Sequence, residues 1–139
     1  MKGFKLISTE KTASLILAAG RGSRMKGFDG NKTLLPLLPD KTPYSGNRPI
    51  LLQILNSLPS GPKAVVVNHR KEEIKDTTRG LGLTFYEQPQ LNGTGGALLA
   101  AKKFLETQDC EALIITMGDV PLVKTRTYLT LINELKHRH

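Results

Sequence analysis

Residues 13–25 read A-S-L-I-L-A-A-G-R-G-S-R-M, and this stretch decides the fold. The run from residue 13 to residue 19 is apolar without alternation, which is typical of a strand buried on both faces of a parallel sheet. Gly20 and Gly22 let the backbone approach a ligand closely, and Arg21 and Arg24 add donors that suit phosphate oxygens. Because ligands bind beyond the carboxyl ends of strands in open α/β sheets, the stretch predicts a strand that ends in an anion-binding loop.

The rest of the chain alternates further apolar runs with segments of helical periodicity. The runs cover residues 63–68, 83–87 and 112–117, and the periodic segments cover residues 50–58, 70–79, 97–105 and 128–135. This order predicts a single α/β domain over residues 1–139, with a Rossmann-like, doubly wound, mostly parallel sheet and helices on both faces. Residues 20–48 form the one long irregular stretch, which we expect to be a functional loop or disordered.

Composition narrows the class of protein. The chain has 139 residues, 39% of them hydrophobic, and a single cysteine, Cys110, so it has enough apolar residues for a core and cannot form an internal disulfide. No apolar stretch approaches the roughly 20 residues of a membrane span, and no secretory leader is evident, so we expect a cytoplasmic protein that does not contact membranes. The net charge of +8 suits a polyanionic partner. The basic residues are scattered and aromatics are only 5%, but composition alone does not choose between nucleic acid and a small anion such as a nucleoside triphosphate.

The glycine–arginine loop differs from two familiar phosphate-binding motifs. The dinucleotide fingerprint needs a third glycine where this chain has Met25, and a P-loop ends in Gly-Lys-Ser/Thr, which is absent. An ordinary strand-to-helix turn therefore stays open for this loop alone. Lys32 follows in the same irregular stretch, just before an apolar run that would anchor it.

Two further segments carry candidate ligand contacts. Residues 88–97 read Q-P-Q-L-N-G-T-G-G-A, in which glycines open a helix and Gln88 offers a donor and an acceptor to a nucleobase edge. Residues 117–122 read M-G-D-V-P-L, and the carboxylate of Asp119 could hold Mg²⁺ against phosphates. Taken singly, each segment could equally be a flexible loop or a tight turn.

Together, segments 17–25 with Lys32, 88–97 and 118–122 resemble the sugar-nucleotide pyrophosphorylases, a family of nucleotidyltransferases. The likeness is closest to the N-acetylglucosamine-1-phosphate uridyltransferase domain. The resemblance implies transfer of UMP from UTP to a sugar 1-phosphate with release of pyrophosphate, Mg²⁺ as cofactor, and no nucleic-acid partner. Separately, if the chain ends at residue 139, a half-sheet with an unpaired edge strand would expose apolar surface, and we then expect a homo-oligomer.

The resemblance assigns roles to residues by position. Arg24 and Lys32 match cationic groups on the triphosphate, and Asp119 matches the metal ligand. The positions that match nucleotide contacts are Leu17, Ala18, Ala19, Gly20, Gly22, Gln88, Gly93, Thr94, Met117 and Gly118.

Several departures from the family pattern limit what the resemblance implies. Asn31 stands where the family usually has proline before the lysine, residues 38–47 are an insertion, and Gly96 replaces a typical histidine. Family catalytic domains also continue well past residue 139 and supply the sugar-phosphate pocket. Two alternatives therefore stay open: a nucleotide-binding module without chemistry of its own, and a cytidylyl- or thymidylyltransferase.

Overall fold

The computed structural model describes residues 11–20 and 28–138. Its elements, in chain order, are β1 (Thr12–Leu17), a 3-10 helix (Lys32–Leu34), β2 (Pro36–Pro39), β3 (Gly46–Pro49), α1 (Ile50–Ser57), β4 (Lys63–Val67), α2 (Lys71–Thr77), β5 (Thr84–Glu87), α3 (Gly93–Ala100), α4 (Lys102–Thr107), β6 (Ala112–Met117) and α5 (Thr125–His137).

Four parallel strands form the main sheet in the order β5-β4-β1-β6. β1 is central, and Leu17 at its end is level with Val66 of β4 and Met117 of β6. This register brings the carboxyl ends of the strands to one edge of the sheet. The glycine–arginine loop, residues 88–94 and residues 118–119 all follow strands at that edge.

Helices cover both faces of this sheet, so the predicted α/β class is confirmed. Ile16 of β1 packs in a core with α1, α2 and α5, which contribute Leu51, Ile54, Ile74 and Tyr128. Leu15 and Leu17 point to the other face, where α3 and α4 contribute Ala97 and Phe104. All six residues of β1 are buried, because hydrophobic groups lie on both sides of it.

The expectation of an irregular stretch over residues 20–48 is wrong for its second half. β2 and β3 pair there as an antiparallel hairpin, with Leu38 opposite Asn47. Prolines at positions 36, 39 and 49 argue against a central strand, but each strand of a two-stranded ribbon has a free edge, where proline is tolerated. Residues 21–27, which include the predicted sites Gly22 and Arg24, lie outside the described residues.

Within the part of the chain that the structure describes, β6 pairs on one side only, with β1. Ile115 and Met117 of β6 are about half exposed, and so are Leu131 and Leu135 of α5. Self-association through such a surface stays a prediction. No helix between residues 28 and 138 is long and apolar enough to cross a bilayer.

Candidate nucleotide site

A cavity of about 230 Å³ lies at the carboxyl edge of the main sheet. Its walls come from the ends of β1, β5 and β6 and from the first turns of α3. The lining residues are Leu17, Ala19, Gly20, Gln88, Leu91, Gly93, Thr94, Ala97 and Met117. The lining is largely apolar with few polar groups, which is the usual make-up of a small-molecule site.

Gln88 is the buried polar group of this cavity, with only 4% of its surface exposed. Its backbone N–H donates to the carbonyl of Val67, which continues the sheet pairing past β5. Its side-chain Nε2 donates to Asn92 Oδ1 at 2.9 Å and to the Gly93 carbonyl at 3.1 Å. Both amide hydrogens are therefore used, and Oε1 stays available as an acceptor with respect to the described residues.

The glycine-rich turn after β5 is shaped by Asn92. Asn92 precedes α3, and its side-chain amide fills the space that a Cβ on Gly96 would need. A larger residue at position 96 would displace Asn92, and with it the acceptor that holds Gln88. Gly96 is one of the departures from the family pattern. The orientation of the Gln88 side chain therefore depends on glycine at position 96.

Lys32 and Asp119 meet beside this cavity although 87 positions separate them in sequence. Lys32 Nζ donates to Asp119 Oδ2 at 2.8 Å, and the two side chains are 32% and 40% exposed. The Lys32 side chain passes close to Gly20, since a Cβ built on Gly20 would lie 3.7 Å from Lys32 Cε. The pair thus joins the 3-10 helix to the end of β6 across the end of β1, within reach of a ligand.

The backbone around this ion pair is tightly packed. The Gly118 N–H donates to the Leu17 carbonyl at 2.8 Å. A Cβ on Gly118 would lie 2.8 Å from Thr33 Cγ2 and 3.0 Å from the Leu17 oxygen. The residue after Lys32 and the residue before Asp119 are therefore in contact, and only glycine allows this approach.

Asp119 is the residue of this site that could hold a magnesium ion. No cluster of three or more His, Cys, Asp or Glu side chains occurs in residues 11–20 and 28–138. Mg²⁺ commonly uses one or two protein carboxylates and completes its shell with phosphates and water. Asp119 is exposed at the sheet edge and could supply one such carboxylate. Lys32 would then have to release the Asp119 oxygen that it contacts.

The segment that follows the glycine–arginine loop is held to the end of β4. Arg70 donates to the carboxylate of Asp29 at 2.7 Å and to its carbonyl at 3.2 Å, and His69 contacts the same carbonyl at 2.6 Å. The hydrogen bond and charge of Asp29 raise the pKa of Arg70 above its ordinary value. These contacts fix the chain just before Asn31 and Lys32.

Most, but not all, of the site residues predicted from the sequence lie together at the carboxyl edge of the sheet. Leu17, Ala19, Gly20, Gln88, Gly93, Thr94 and Met117 line the cavity, and Lys32 and Asp119 lie beside it. Ala18 faces the opposite core, and Gly118 is a packing position. Leu91 and Ala97 of the lining were missed, as were Asn31 and Thr33 beneath Lys32. An Asn two residues before a Thr at the start of a helical turn is a capping signal, and it could have identified Asn31 and Thr33.

Comparison with known proteins identifies the family of this chain. Residues 14–139 match the family model described as MobA-like NTP transferase domain. The chain is 32% identical over 130 residues to "Bifunctional protein GlmU" of Desulfotalea psychrophila, which covers 91% of this chain and 34% of that protein. It is 36% identical over 118 residues to the protein of the same name from Hydrogenobaculum sp., covering 82% of this chain and 23% of that protein. With the Francisella tularensis subsp. novicida protein of that name it shares 36% identity over 120 residues, covering 86% of this chain and 24% of the relative. The chain thus spans about a quarter to a third of the length of these relatives.

Proposed function

Because this chain belongs to the family of MobA-like NTP transferase domains, we propose that it binds UTP and contributes to the transfer of UMP to a sugar 1-phosphate. The observation that carries the proposal is the Lys32–Asp119 pair beside a cavity at the carboxyl edge of a parallel sheet. A cation that could contact phosphate oxygens and a carboxylate that could hold Mg²⁺ are groups that suit a triphosphate.

The chemistry is a substitution at phosphorus. An oxygen of the sugar phosphate attacks the α-phosphorus of UTP, the bond to the β-phosphate breaks, and pyrophosphate leaves with the bonding electrons. The attacking phosphate is already an anion, so the protein needs no nucleophile of its own and acts by positioning and charge stabilisation. Mg²⁺ bound by Asp119 would supply further neutralisation of the phosphates.

Each residue would have a limited task. Lys32 would neutralise charge on the departing pyrophosphate, and Arg24 would share this task, as the resemblance implies. The N–H groups at the start of α3 are free of intrahelical partners and could bind ligand oxygens. Gln88 would accept a hydrogen bond from the base through Oε1.

The preference for UTP rests on the resemblance of segment 88–97 to the uridyltransferases. An acceptor at Gln88 suits the N3–H of uracil, and it also suits the exocyclic amine of cytosine. CTP is therefore an alternative nucleotide, and dTTP is another, because thymine carries the same N3–H. The first experiment must compare UTP with CTP, whose base differs at the edge that Gln88 would contact.

Calorimetric titration of the 139-residue chain with UTP, CTP and ATP, each with and without Mg²⁺, tests the proposal. We expect binding that is tightest for UTP and strengthened by Mg²⁺. Lys32→Met should weaken UTP binding by about tenfold, because it removes a charge-assisted contact. Lys102→Met, on the exposed surface of α4, is the matched control and should bind as the unaltered protein does. Absence of nucleotide binding, or equal binding of all three nucleotides, would contradict the proposal.

Binding and transfer are separable parts of this function. Because the chain spans only 23% to 34% of the length of its relatives, the second candidate is a nucleotide-binding module that performs no transfer. Measurement of pyrophosphate release from UTP, with a panel of sugar 1-phosphates as acceptors, distinguishes the two. Release that depends on one acceptor supports the enzyme, and UTP binding without release supports the module.

A further inference from the structure

Asn31 is a buried polar residue next to Lys32, with 1% of its surface exposed. Its Nδ2 donates to the carbonyl of His69 at 2.9 Å and to the carbonyl of Ala18 at 3.4 Å. Its Oδ1 accepts from the N–H and the hydroxyl of Thr33, at 2.9 Å and 2.6 Å. Every donor hydrogen and both acceptor positions of the amide are used.

These four hydrogen bonds join three parts of the fold. Thr33 belongs to the 3-10 helix, Ala18 follows β1, and His69 follows β4. The side chain of Asn31 therefore caps the 3-10 helix and also ties it to the ends of two central strands. Lys32 is the first residue of that helix, so its backbone lies between Asn31, the capping residue, and Thr33, whose N–H is capped.

The ion pair by itself holds Lys32 only weakly. Both partners are about one-third exposed or more, and an exposed pair of this kind contributes little and is screened by salt. The buried contacts beneath it are a better anchor, since polar groups in a water-free environment lose much when their partners are removed. The contact of the Thr33 methyl with Gly118 then sets the distance between the two backbones that carry Lys32 and Asp119.

We propose that Asn31 is a positioning residue, whose amide aims the Lys32 ammonium at the distal phosphates of a bound triphosphate. This inference rests on the proposed function of the same site. Asn31 does not line the cavity and acts through Lys32. A proline at this position, as the resembled family usually has, could supply neither the cap nor the tether, so this chain holds its lysine by a different means.

The test compares Asn31→Ala with a matched control, Thr78→Val. Thr78 is 3% exposed and its hydroxyl donates to the Ile74 carbonyl at 2.8 Å, so the control also loses a buried hydrogen bond, but in α2. Asn31→Ala should weaken the binding of UTP by up to about tenfold, the loss expected for Lys32→Met, because a small misplacement of a charged contact is costly. It should leave the binding of UMP unchanged, since UMP lacks the distal phosphates. Thr78→Val should bind both nucleotides as the unaltered protein does.

A second readout needs no nucleotide. The rate at which an amine-reactive reagent labels Lys32, relative to Lys102 in the same molecule, should rise severalfold in Asn31→Ala and stay constant in Thr78→Val. If the unaltered protein binds no nucleotide but this change in labelling occurs, the proposed function fails while the tether between Asn31 and Lys32 stands.

Three results would overturn the positioning role: equal weakening of UTP and UMP, an unaltered Lys32 labelling rate, or a full additional loss of UTP affinity when Asn31→Ala is combined with Lys32→Met. If Asn31→Ala does not fold, Thr33→Val replaces it. Thr33→Val removes the hydroxyl hydrogen bond to Asn31 and keeps a methyl group against Gly118. It should weaken UTP binding less than Asn31→Ala does, and it should also leave UMP binding unchanged.

Discussion

Lys32 and Asp119 neutralise each other in the free protein, with 2.8 Å between Nζ and Oδ2. A triphosphate attracts the ammonium, and a divalent cation attracts the carboxylate. Binding of the two ligands should therefore be cooperative, because each releases the partner that the other needs. The cooperativity depends on these two side chains alone, so a substitution that replaces one carboxylate oxygen of Asp119 by an amide nitrogen can test it.

Asp119→Asn should abolish the strengthening of UTP binding by Mg²⁺, since a neutral amide is a poor magnesium ligand. Without the metal, UTP should bind this variant at least as well as the unaltered protein, because Lys32 is no longer held by a carboxylate. Titration with UTP at several Mg²⁺ concentrations measures both effects. Glu111→Gln is the control, an exposed carboxylate just before β6 at the opposite end of that strand. Persistence of the magnesium effect in Asp119→Asn would contradict the metal role.

Gly118→Ala should destabilise the protein by about 1–3 kcal/mol, the usual cost of forcing an extra methyl group into a packed site. The new Cβ would lie 2.8 Å from Thr33 Cγ2 and 3.0 Å from a backbone oxygen, which cannot move independently. Urea denaturation measures the change in the free energy of unfolding. Gly95→Ala is the matched control: it lies in α3 with open space around its Cβ, and it should be neutral or slightly stabilising. Equal stability of the two variants would show that the Thr33–Gly118 contact is not tight.

At the residue scale, the sequence predicted groups that lie at strand ends and missed groups that depend on tertiary contacts. Lys32 and Asp119 were both nominated from their positions in loops at one edge of the sheet. Asn31 was seen only as a departure from a family pattern, because its role depends on the carbonyls of Ala18 and His69, which are 13 and 38 positions away. No local pattern shows that these carbonyls converge on one amide.

At the scale of elements, the main sheet was predictable and the β2–β3 hairpin was not. β1, β4 and β6 are apolar runs whose burial requires a two-faced sheet, and periodicity detects this directly. The hairpin is proline-rich and exposed, with no apolar face to produce alternation. The break between α3 and α4 was missed as well, because one residue, Ala101, leaves helical geometry while the apolar face continues to Phe104.

The hairpin contacts the segment that precedes Lys32 through an aromatic pair. Tyr44, in its turn, stacks on Phe28 with ring centroids 4.9 Å apart and planes 21° apart. Phe28 directly follows the part of the glycine–arginine loop that lies outside the described residues. The inserted segment 38–47 is therefore in contact with the chain that leads from this loop to Lys32.

Tyr44→Ala should loosen the hairpin without unfolding the main sheet, since an aromatic pair contributes about 0.5–1.5 kcal/mol beyond area burial. Amide hydrogen exchange should accelerate in residues 36–49 and stay unchanged in β1 and β4. Tyr44→Phe keeps the ring and should behave as the unaltered protein does. Unchanged protection of the hairpin in Tyr44→Ala would mean that strand pairing and the turn contacts, such as the 2.8 Å hydrogen bond from Asp40 to Ser45, suffice by themselves.

At the scale of the whole molecule, the parallel sheet explains why segments far apart in sequence predict one site. β1 lies between β4 and β6, so a loop after β1 meets residues that follow either neighbour. To bring these segments together, one needs to know the strand order in addition to the sequence. The strand order depends on which apolar runs pair in the folded protein. The cavity residues Leu91 and Ala97 also depend on tertiary structure, because Ala97 lies in α3 and Leu91 in the turn before it, and both segments must lie against the end of the sheet to line the cavity.

The net charge of +8 is also a property of the whole chain, and it makes a specific prediction about polyanions. A nucleic-acid binder that contacts 6–10 phosphates loses about 10³-fold or more in affinity between 50 and 200 mM salt. UTP presents only three phosphate groups to a formed site, so its affinity should fall far less over the same range. A single-stranded oligonucleotide added at 150 mM salt should not displace UTP, because the basic residues are scattered and few aromatic side chains are available for stacking. Fluorescence competition with a labelled UTP analogue measures both quantities. Displacement by the oligonucleotide, with a salt dependence as steep as that of a nucleic-acid binder, would assign the charge to nucleic acid and leave the cavity at the sheet edge without its proposed ligand.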